Sequence, residues 1–302
     1  MLPFARVTVI GLGLIGSSLL RAVRLHMPTV RLTGYDADVD VRARIDELGL
    51  ADDVADSAGA AVTDADFVIL CVPVGAMGAV ASEFAEDLPA DAIVSDVGSS
   101  KASVFAALQA ALPGAVIVPA HPVAGTERSG PDAGFASLFQ GRWCILTPAD
   151  ETPAVAVSRV AAFWQAIGSD VEVMDARHHD RVLAITSHLP HLIAYTIVGT
   201  ASDMEEVTQS EVIKFSAGGF RDFTRIAASD PTMWRDVFLA NKDAVLEMLQ
   251  RFSEDLTALQ RAIRWGDGDA LFDLFSRTRA TRRSIIEQGQ DDARPDFGRA
   301  HE

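Results

Sequence analysis

Four stretches of this 302-residue chain gather residues able to do chemistry. The first is the glycine-rich turn Gly11-Leu12-Gly13-Leu14-Ile15-Gly16. The second is Ser95-Asp96-Val97-Gly98-Ser99-Ser100-Lys101, and the third runs from His121-Pro122-Val123-Ala124-Gly125 through Thr126-Glu127-Arg128-Ser129-Gly130. The fourth is split between Ser187-His188-Leu189-Pro190-His191 and Gly218-Gly219-Phe220-Arg221-Asp222-Phe223-Thr224-Arg225-Ile226-Ala227. Hydroxyls, imidazoles, carboxylates and a guanidinium are the groups that move protons and hold anions.

The glycine turn has the spacing of a dinucleotide site, and its context supports that reading. It follows an apolar β-branched run, opens a helical pattern, and has Asp36 placed 20 residues beyond Gly16. Gly11 permits a tight turn, Gly13 lets backbone approach a pyrophosphate, and Gly16 allows close helix–strand packing. The helix N-terminus offers unpaired N–H groups to the phosphates. Asp36 would accept hydrogen bonds from the adenosine ribose and repel a 2′-phosphate. Ala37, Asp38, Val39 and Asp40 add no cation, so NAD is expected in preference to NADP. Leu14, Ile15, Val72 and Pro73 complete the expected cofactor surface. On the motif alone, S-adenosylmethionine, FAD, or a glycine turn of another α/β protein remain alternatives.

These stretches need elements to position them. Arg6–Ile10, Arg31–Tyr35, Phe67–Val72, Ala92–Ser95, Ala115–Val118, Trp143–Leu146 and Asp170–Met174 read as strands. Helical spacing separates them at Leu14–Leu25, Val39–Leu48, Ala102–Leu112 and Pro153–Ile167. That alternation predicts a Rossmann-type, doubly wound, mostly parallel sheet. The second and third stretches then follow strands, at the edge where such sheets bind ligands. After about residue 175 the period changes, and Val182–Thr200, Glu205–Phe215, Met233–Ile263 and Asp269–Glu287 read as helices. The expected division is 1–175 for an α/β dinucleotide domain, 176–290 for an all-α domain, and 291–302 for a disordered tail.

Composition narrows the partners. A net charge of −16 argues against nucleic acid or an anionic membrane surface. Apolar content of 49% and charged content of 23% suit a globular protein. No uninterrupted apolar run approaches membrane length, no signal peptide is read, and the only cysteines, Cys71 and Cys144, sit in apolar runs as expected core residues. A cytoplasmic location follows from that reading.

In order along the chain, the motifs G-S-x-K, H-P-x-x-G-x-E-x-S-G, S-H-L-P-H and G-F-x-D-x-T-R-I-A resemble the prephenate/arogenate (cyclohexadienyl) dehydrogenases of tyrosine biosynthesis. The resemblance runs from Val7 to about Leu249. It implies a Rossmann domain followed by a helical dimerisation domain, hence a homodimer. It also implies a reaction in which NAD takes hydride from C4 of a cyclohexadiene ring, the 4-hydroxyl loses its proton, and the ring carboxylate leaves as carbon dioxide. By the same resemblance His121 matches the proton acceptor and Ser99 the serine that hydrogen-bonds the hydroxyl, with Ser100 competing for that role. Arg225 matches the carboxylate grip, His191 a substrate-side imidazole, and Asp222 and Glu127 carboxylates that shape or gate the site. Trp234 matches an aromatic that reaches the neighbouring subunit's site, with a core role as the alternative. Lys101 is expected to cap or orient its loop, and His188 either touches ligand or packs a helix.

Two rival readings stand beside this one. A β-hydroxyacid or 6-phosphogluconate type dehydrogenase would share the architecture, but Asn241-Lys242 lacks the glycine of that family's lysine segment. A non-catalytic NAD-binding regulator would not need Ser99, His121 and Arg225. No metal is expected: His178-His179-Asp180 lacks the rest of a shell. Arg277, Arg279, Arg282 and Arg283 read as a solvated basic face or an inter-subunit pairing surface. Prephenate against arogenate, and any inhibition by tyrosine, are left open.

Overall fold

The computed structural model describes residues 2–126, 128–203, 211, 214–215 and 218–287. The strands that carry the fold are those whose side chains are apolar on both faces. In β1 (Arg6–Ile10), Val7 and Val9 enter one core cluster and Ile10 the other. In β4 (Phe67–Leu70), Phe67 and Ile69 face the first cluster while Val68 and Leu70 face the second. A strand buried on both faces belongs inside a parallel sheet covered by helices. The sheet has six strands in the order β3-β2-β1-β4-β5-β6, with every neighbouring pair parallel. The others are β2 (Arg31–Tyr35), β3 (Asp53–Val54), β5 (Ile93–Asp96) and β6 (Val116–Ile117). Chain order reverses between β1 and β4, and a crevice opens at such a switch point.

Helices cover both faces: α1 (Leu14–His26), α2 (Val39–Glu47), α3 (Ala58–Val62), α4 (Met77–Glu83), α5 (Ala102–Ala111) and α6 (Ala154–Ala166). A second, three-stranded sheet lies beyond β6. In it β7 (Ala120–Pro122) pairs antiparallel with β8 (Trp143–Leu146), which pairs parallel with β9 (Asp170–Val173). His121 therefore sits on a strand, opposite Ile145, where the sequence suggests a loop. Cys144 is buried, and Cys71 is partly buried against the core.

From residue 176 the described structure is helical. Helix α7 (Ala176–Leu183) runs through a five-residue π segment, Ala184–His188, into α8 (Leu189–Ser202). Pro190 accounts for the π segment: it has no N–H, and its ring would strike the carbonyl four residues back, so the helix widens just before it. By composition and length alone this combined helix could cross a membrane, a length that no uninterrupted apolar run in the sequence suggests. It also carries His179, Asp180 and His188 in fully or nearly fully buried positions.

Helix α9 (Gly218–Thr224) leads into a 3-10 turn, Arg225–Ala228, and both pack on α8. The single helix expected over 233–263 is two, α10 (Pro231–Ala240) and α11 (Lys242–Trp265), broken at Asn241. Asp230 caps α10, accepting from the Met233 N–H at 2.8 Å. Helix α12 (Gly268–Glu287) is the last described element. Residues 1–245 form one compact unit and 246–302 a second. The helix expected over 205–215 and the tail expected over 291–302 fall largely or wholly outside the described residues.

Candidate active site

The glycine turn needs its glycines for three different reasons. Gly11 has φ +91°, and a Cβ there would meet the Cys71 carbonyl at 2.8 Å. A Cβ on Gly16 would stand 1.9 Å from the Gly11 oxygen, so the helix could not start so close to β1. A Cβ on Gly13 would meet nothing within 4 Å, which leaves that face open for a ligand's approach. Asp36 faces the same turn: Oδ2 accepts from the Leu12 N–H at 2.7 Å and Oδ1 from the Asp38 N–H at 3.0 Å. Arg42 comes into this corner from one helical turn further on. Its guanidinium donates to the Asp36 carbonyl at 2.7 Å and lies over the Tyr35 ring. Val72 and Pro73 follow β4 at the neighbouring strand end, and Val72 touches the position a Gly11 side chain would take. This corner has the shape and the donors of a dinucleotide site.

The second half of the site is a buried polar cluster. The Lys101 ammonium is fully buried and donates to Asp96, which is also fully buried, and to the Ala120 carbonyl at 2.7 Å. Lys101 thereby ties the end of β5 to β7, one residue before His121. Its role is to bridge two strands, more than the loop cap expected. Burial pushes the Asp96 carboxyl up, opposed by Lys101 and the Gly98 N–H.

His121 Nδ1 lies 2.8 Å from His179 Nε2, and His179 Nδ1 lies 2.9 Å from Asp180 Oδ1. Asp180 also accepts from the backbone N–H groups of Lys101 (2.7 Å) and Ala102 (3.0 Å), at the start of α5. Burial works against the Asp180 anion, but those hydrogen bonds hold its carboxyl below the ordinary range. Burial drives His121 well below the usual imidazole range, and His179 and Lys101 add to the effect. His121 is therefore a neutral imidazole near neutral pH, the form that can accept a proton. No hydrogen bond to its Nε2 occurs among the described residues.

The helical elements close round this cluster. Burial lowers His188 to about 4, and it stands beside the Ser99 main chain. Asn241, at the break between α10 and α11, donates to the Asp180 carbonyl at 2.8 Å and lies 3.1 Å from His188 Nδ1. His191 Nδ1 bonds the Ser187 carbonyl at 2.9 Å, and its ring stacks on Trp234 with centroids 3.6 Å apart. Arg225 is near enough to His191 to disfavour its protonation, after burial, which is the larger cause. Asp222 lies 3.7 Å from Arg221.

The structure thus brings His121, the Ser99 main chain and His188 together, and sets His191, Trp234 and Arg225 beside one another. Trp234 is buried among histidines of its own chain. Ser100 is buried and Ser99 half-buried. Glu127 lies outside the described residues. Sequence reasoning misses His179, Asp180, Asp96, Asn241 and the bridging role of Lys101. The available signal was the adjacent His179-Asp180 pair, but nothing local says that it will touch His121, 58 residues earlier in the chain. No cluster of three or more metal-binding side chains occurs among the described residues.

A six-stranded parallel sheet of this order, with a glycine turn at its switch point and a neutral buried imidazole beyond it, defines a dinucleotide-dependent dehydrogenase. Residues 19–173 match the nucleotide-binding domain of prephenate dehydrogenase, and residues 175–277 match its dimerization domain. A cyclohexadienyl dehydrogenase of Zymomonas mobilis is 48% identical, covering 94% of this chain and 97% of the relative. A prephenate dehydrogenase of Bacillus subtilis is 33% identical, covering 91% and 74%. A crystal structure of the Aquifex aeolicus prephenate dehydrogenase with hydroxyphenyl propionate and NAD+ superposes with a TM-score of 0.87 at 34% identity, covering 93% of this chain and 98% of that one. The chain belongs to the prephenate dehydrogenase family of oxidoreductases.

Proposed function

We propose that this protein oxidatively decarboxylates a cyclohexadienyl acid, prephenate or arogenate, with NAD as acceptor. Bound at the glycine turn, NAD would receive the hydride from ring C4. His121 Nε2 accepts the 4-hydroxyl proton as that hydride leaves. Ser99 hydrogen-bonds the same hydroxyl. Arg225 grips the side-chain carboxylate through two parallel bonds, with His191 and Trp234 forming the wall beside it. Loss of carbon dioxide makes the ring aromatic, which drives the reaction.

The observation that carries the reading is His121: a neutral, almost fully buried imidazole with one ring nitrogen engaged and the other open, beyond the carboxyl edge of a dinucleotide sheet. The test is NADH formation by the purified protein, with prephenate and arogenate supplied separately and NAD and NADP compared. Turnover with at least one of them is expected, faster with NAD. His121→Asn should lower kcat by roughly a hundredfold or more with a modest change in KM. Absence of NADH with both substrates overturns the function, and near-normal kcat in the variant removes His121 as base.

The division of labour follows. Residues 1–175 hold the dinucleotide, and residues 176–290 supply substrate contacts and the surface for a second copy. The homodimer reading is supported by large apolar side chains exposed on α11 and α12: Leu256, Ile263, Trp265, Phe272 and Phe275. A cytoplasmic location fits two cysteines that are both free thiols.

A further inference from the structure

We propose that His179 and Asp180 are positioning residues that fix the tautomer of His121, so that its Nε2 carries the bare lone pair. The inference rests on the reading of His121 as the base. It follows from counting donors along the chain Asp180–His179–His121.

Asp180 is the fixed end. Its carboxylate accepts two backbone N–H groups from the first turn of α5, at 2.7 and 3.0 Å. The helix N-terminus also favours a negative charge there. An ionised carboxylate can only accept. His179 Nδ1, 2.9 Å from Oδ1, must therefore be the protonated nitrogen of its ring. A neutral His179 then has an unprotonated Nε2, which can only accept. The ring nitrogen 2.8 Å away, His121 Nδ1, must supply the proton. Neutral His121 has a single N–H, so its Nε2 is bare.

That is the form a base needs. In the opposite tautomer, Nε2 would already hold a proton and no substrate hydroxyl could deliver one to it. An isolated imidazole exchanges between the two forms, and an ordinary histidine would spend only part of its time ready. The same line of bonds acts after the transfer. The O–H bond of the substrate breaks and an N–H bond forms at His121 Nε2, giving a cation with both nitrogens protonated. Its Nδ1–H still points through His179 toward the Asp180 anion. His179 and Asp180 carry no proton away; they orient the ring and offset its new charge. The Lys101 ammonium disfavours that cation, which makes an anion at the far end useful. Asn241 holds the Asp180 main chain at 2.8 Å, so the anchor is fixed from the helical side as well.

The test reads the tautomer directly. Nitrogen-15 histidine NMR of the full-length protein near neutral pH should show His121 protonated at Nδ1 and bare at Nε2. Finding Nε2–H in the wild-type protein overturns the proposal with no variant needed. In His179→Leu the acceptor is gone. The expected result is a shift of His121 toward Nε2–H and a fall in kcat on the order of ten- to a hundredfold with KM little changed. His179→Gln places a carbonyl oxygen near the lost nitrogen and should recover part of kcat and the Nδ1–H signal. Unchanged kcat in a folded His179→Leu, or a Gln variant no better than Leu, counts against the relay. The base assignment is tested separately: if His121→Asn keeps its turnover, that reading fails, whereas a dead His121→Asn beside a wild-type Nε2–H tautomer sinks the relay alone.

Discussion

Asp36 shows how one side chain takes two duties. Its carboxylate already holds the Leu12 N–H, so it stabilises the turn, and the ribose contact proposed for it would be its second duty. Arg42 stands at the same residue's carbonyl, a cation that the four residues after Asp36 gave no hint of. Asp36→Ala should weaken NAD binding, and it should narrow the preference over NADP, because removing the anion leaves Arg42 to meet a 2′-phosphate. Fluorescence titration with both dinucleotides checks this; an unchanged ratio would place cofactor selection elsewhere. Arg225 belongs to the same scale. Arg225→Ala should cost roughly 2–5 kcal/mol in kcat/KM, chiefly through KM, since it leaves a carboxylate without its partner. Steady-state kinetics read this, and a change below threefold would remove Arg225 from substrate binding.

Among the elements, the broken helix is the informative one. Apolar spacing alone supports a continuous helix through Asn241, and both flanks are good helices. The break turns Asn241 inward, where its amide reaches the Asp180 carbonyl and His188. Asn241→Leu keeps the volume and removes the donor, leaving a buried imidazole nitrogen short of a partner and the Asp180 carbonyl with only its intrahelical Ala184 N–H. The expected loss is about 1–3 kcal/mol in urea unfolding, with lower kcat because Asp180 loses its support. Wild-type stability in that variant would mean the break is set by backbone alone. The π segment before Pro190 is the counterpart on the facing helix. There the missing N–H was visible in the sequence, but the direction in which the widened turn would send His188 was not.

For the molecule as a whole, four buried or half-buried histidines have one consequence. His121, His179, His188 and His191 are all held below the ordinary value of 6.5 by burial, opposed in part at His179, His188 and His191 by local partners. The unfolded chain takes up their protons first as pH falls, so acid favours unfolding. Stability should be near its plateau above about pH 7.5 and decline below the ordinary imidazole range, at about 1.4 kcal/mol per pH unit for each titrating group. His188 continues to contribute until about pH 4. Asp180, held low, loses its contribution only at more acidic pH, as pH falls through its folded value. Urea unfolding between about pH 8 and 5 measures the slope, and a flat profile would mean these imidazoles are not held neutral by the fold.

Much of this was legible in the residues. The glycine spacing, the β-branched runs and Asp36 specify the strand–turn–helix unit, because backbone sterics and side-chain period act over a few positions. The change of period near residue 175 marks where strands give way to helices for the same reason. The motifs around Ser99, His121 and Arg225 pointed to the chemistry. What the sequence could not determine is which buried groups meet. Lys101 with Ala120, His179 with His121, and Asn241 with Asp180 join separate elements 19, 58 and 61 residues apart, and only tertiary packing decides such pairs. His178 and His179 look alike as neighbours in sequence, yet successive residues on a helix point about a quarter-turn apart. One becomes a fully buried link to His121, and the other does not share its place.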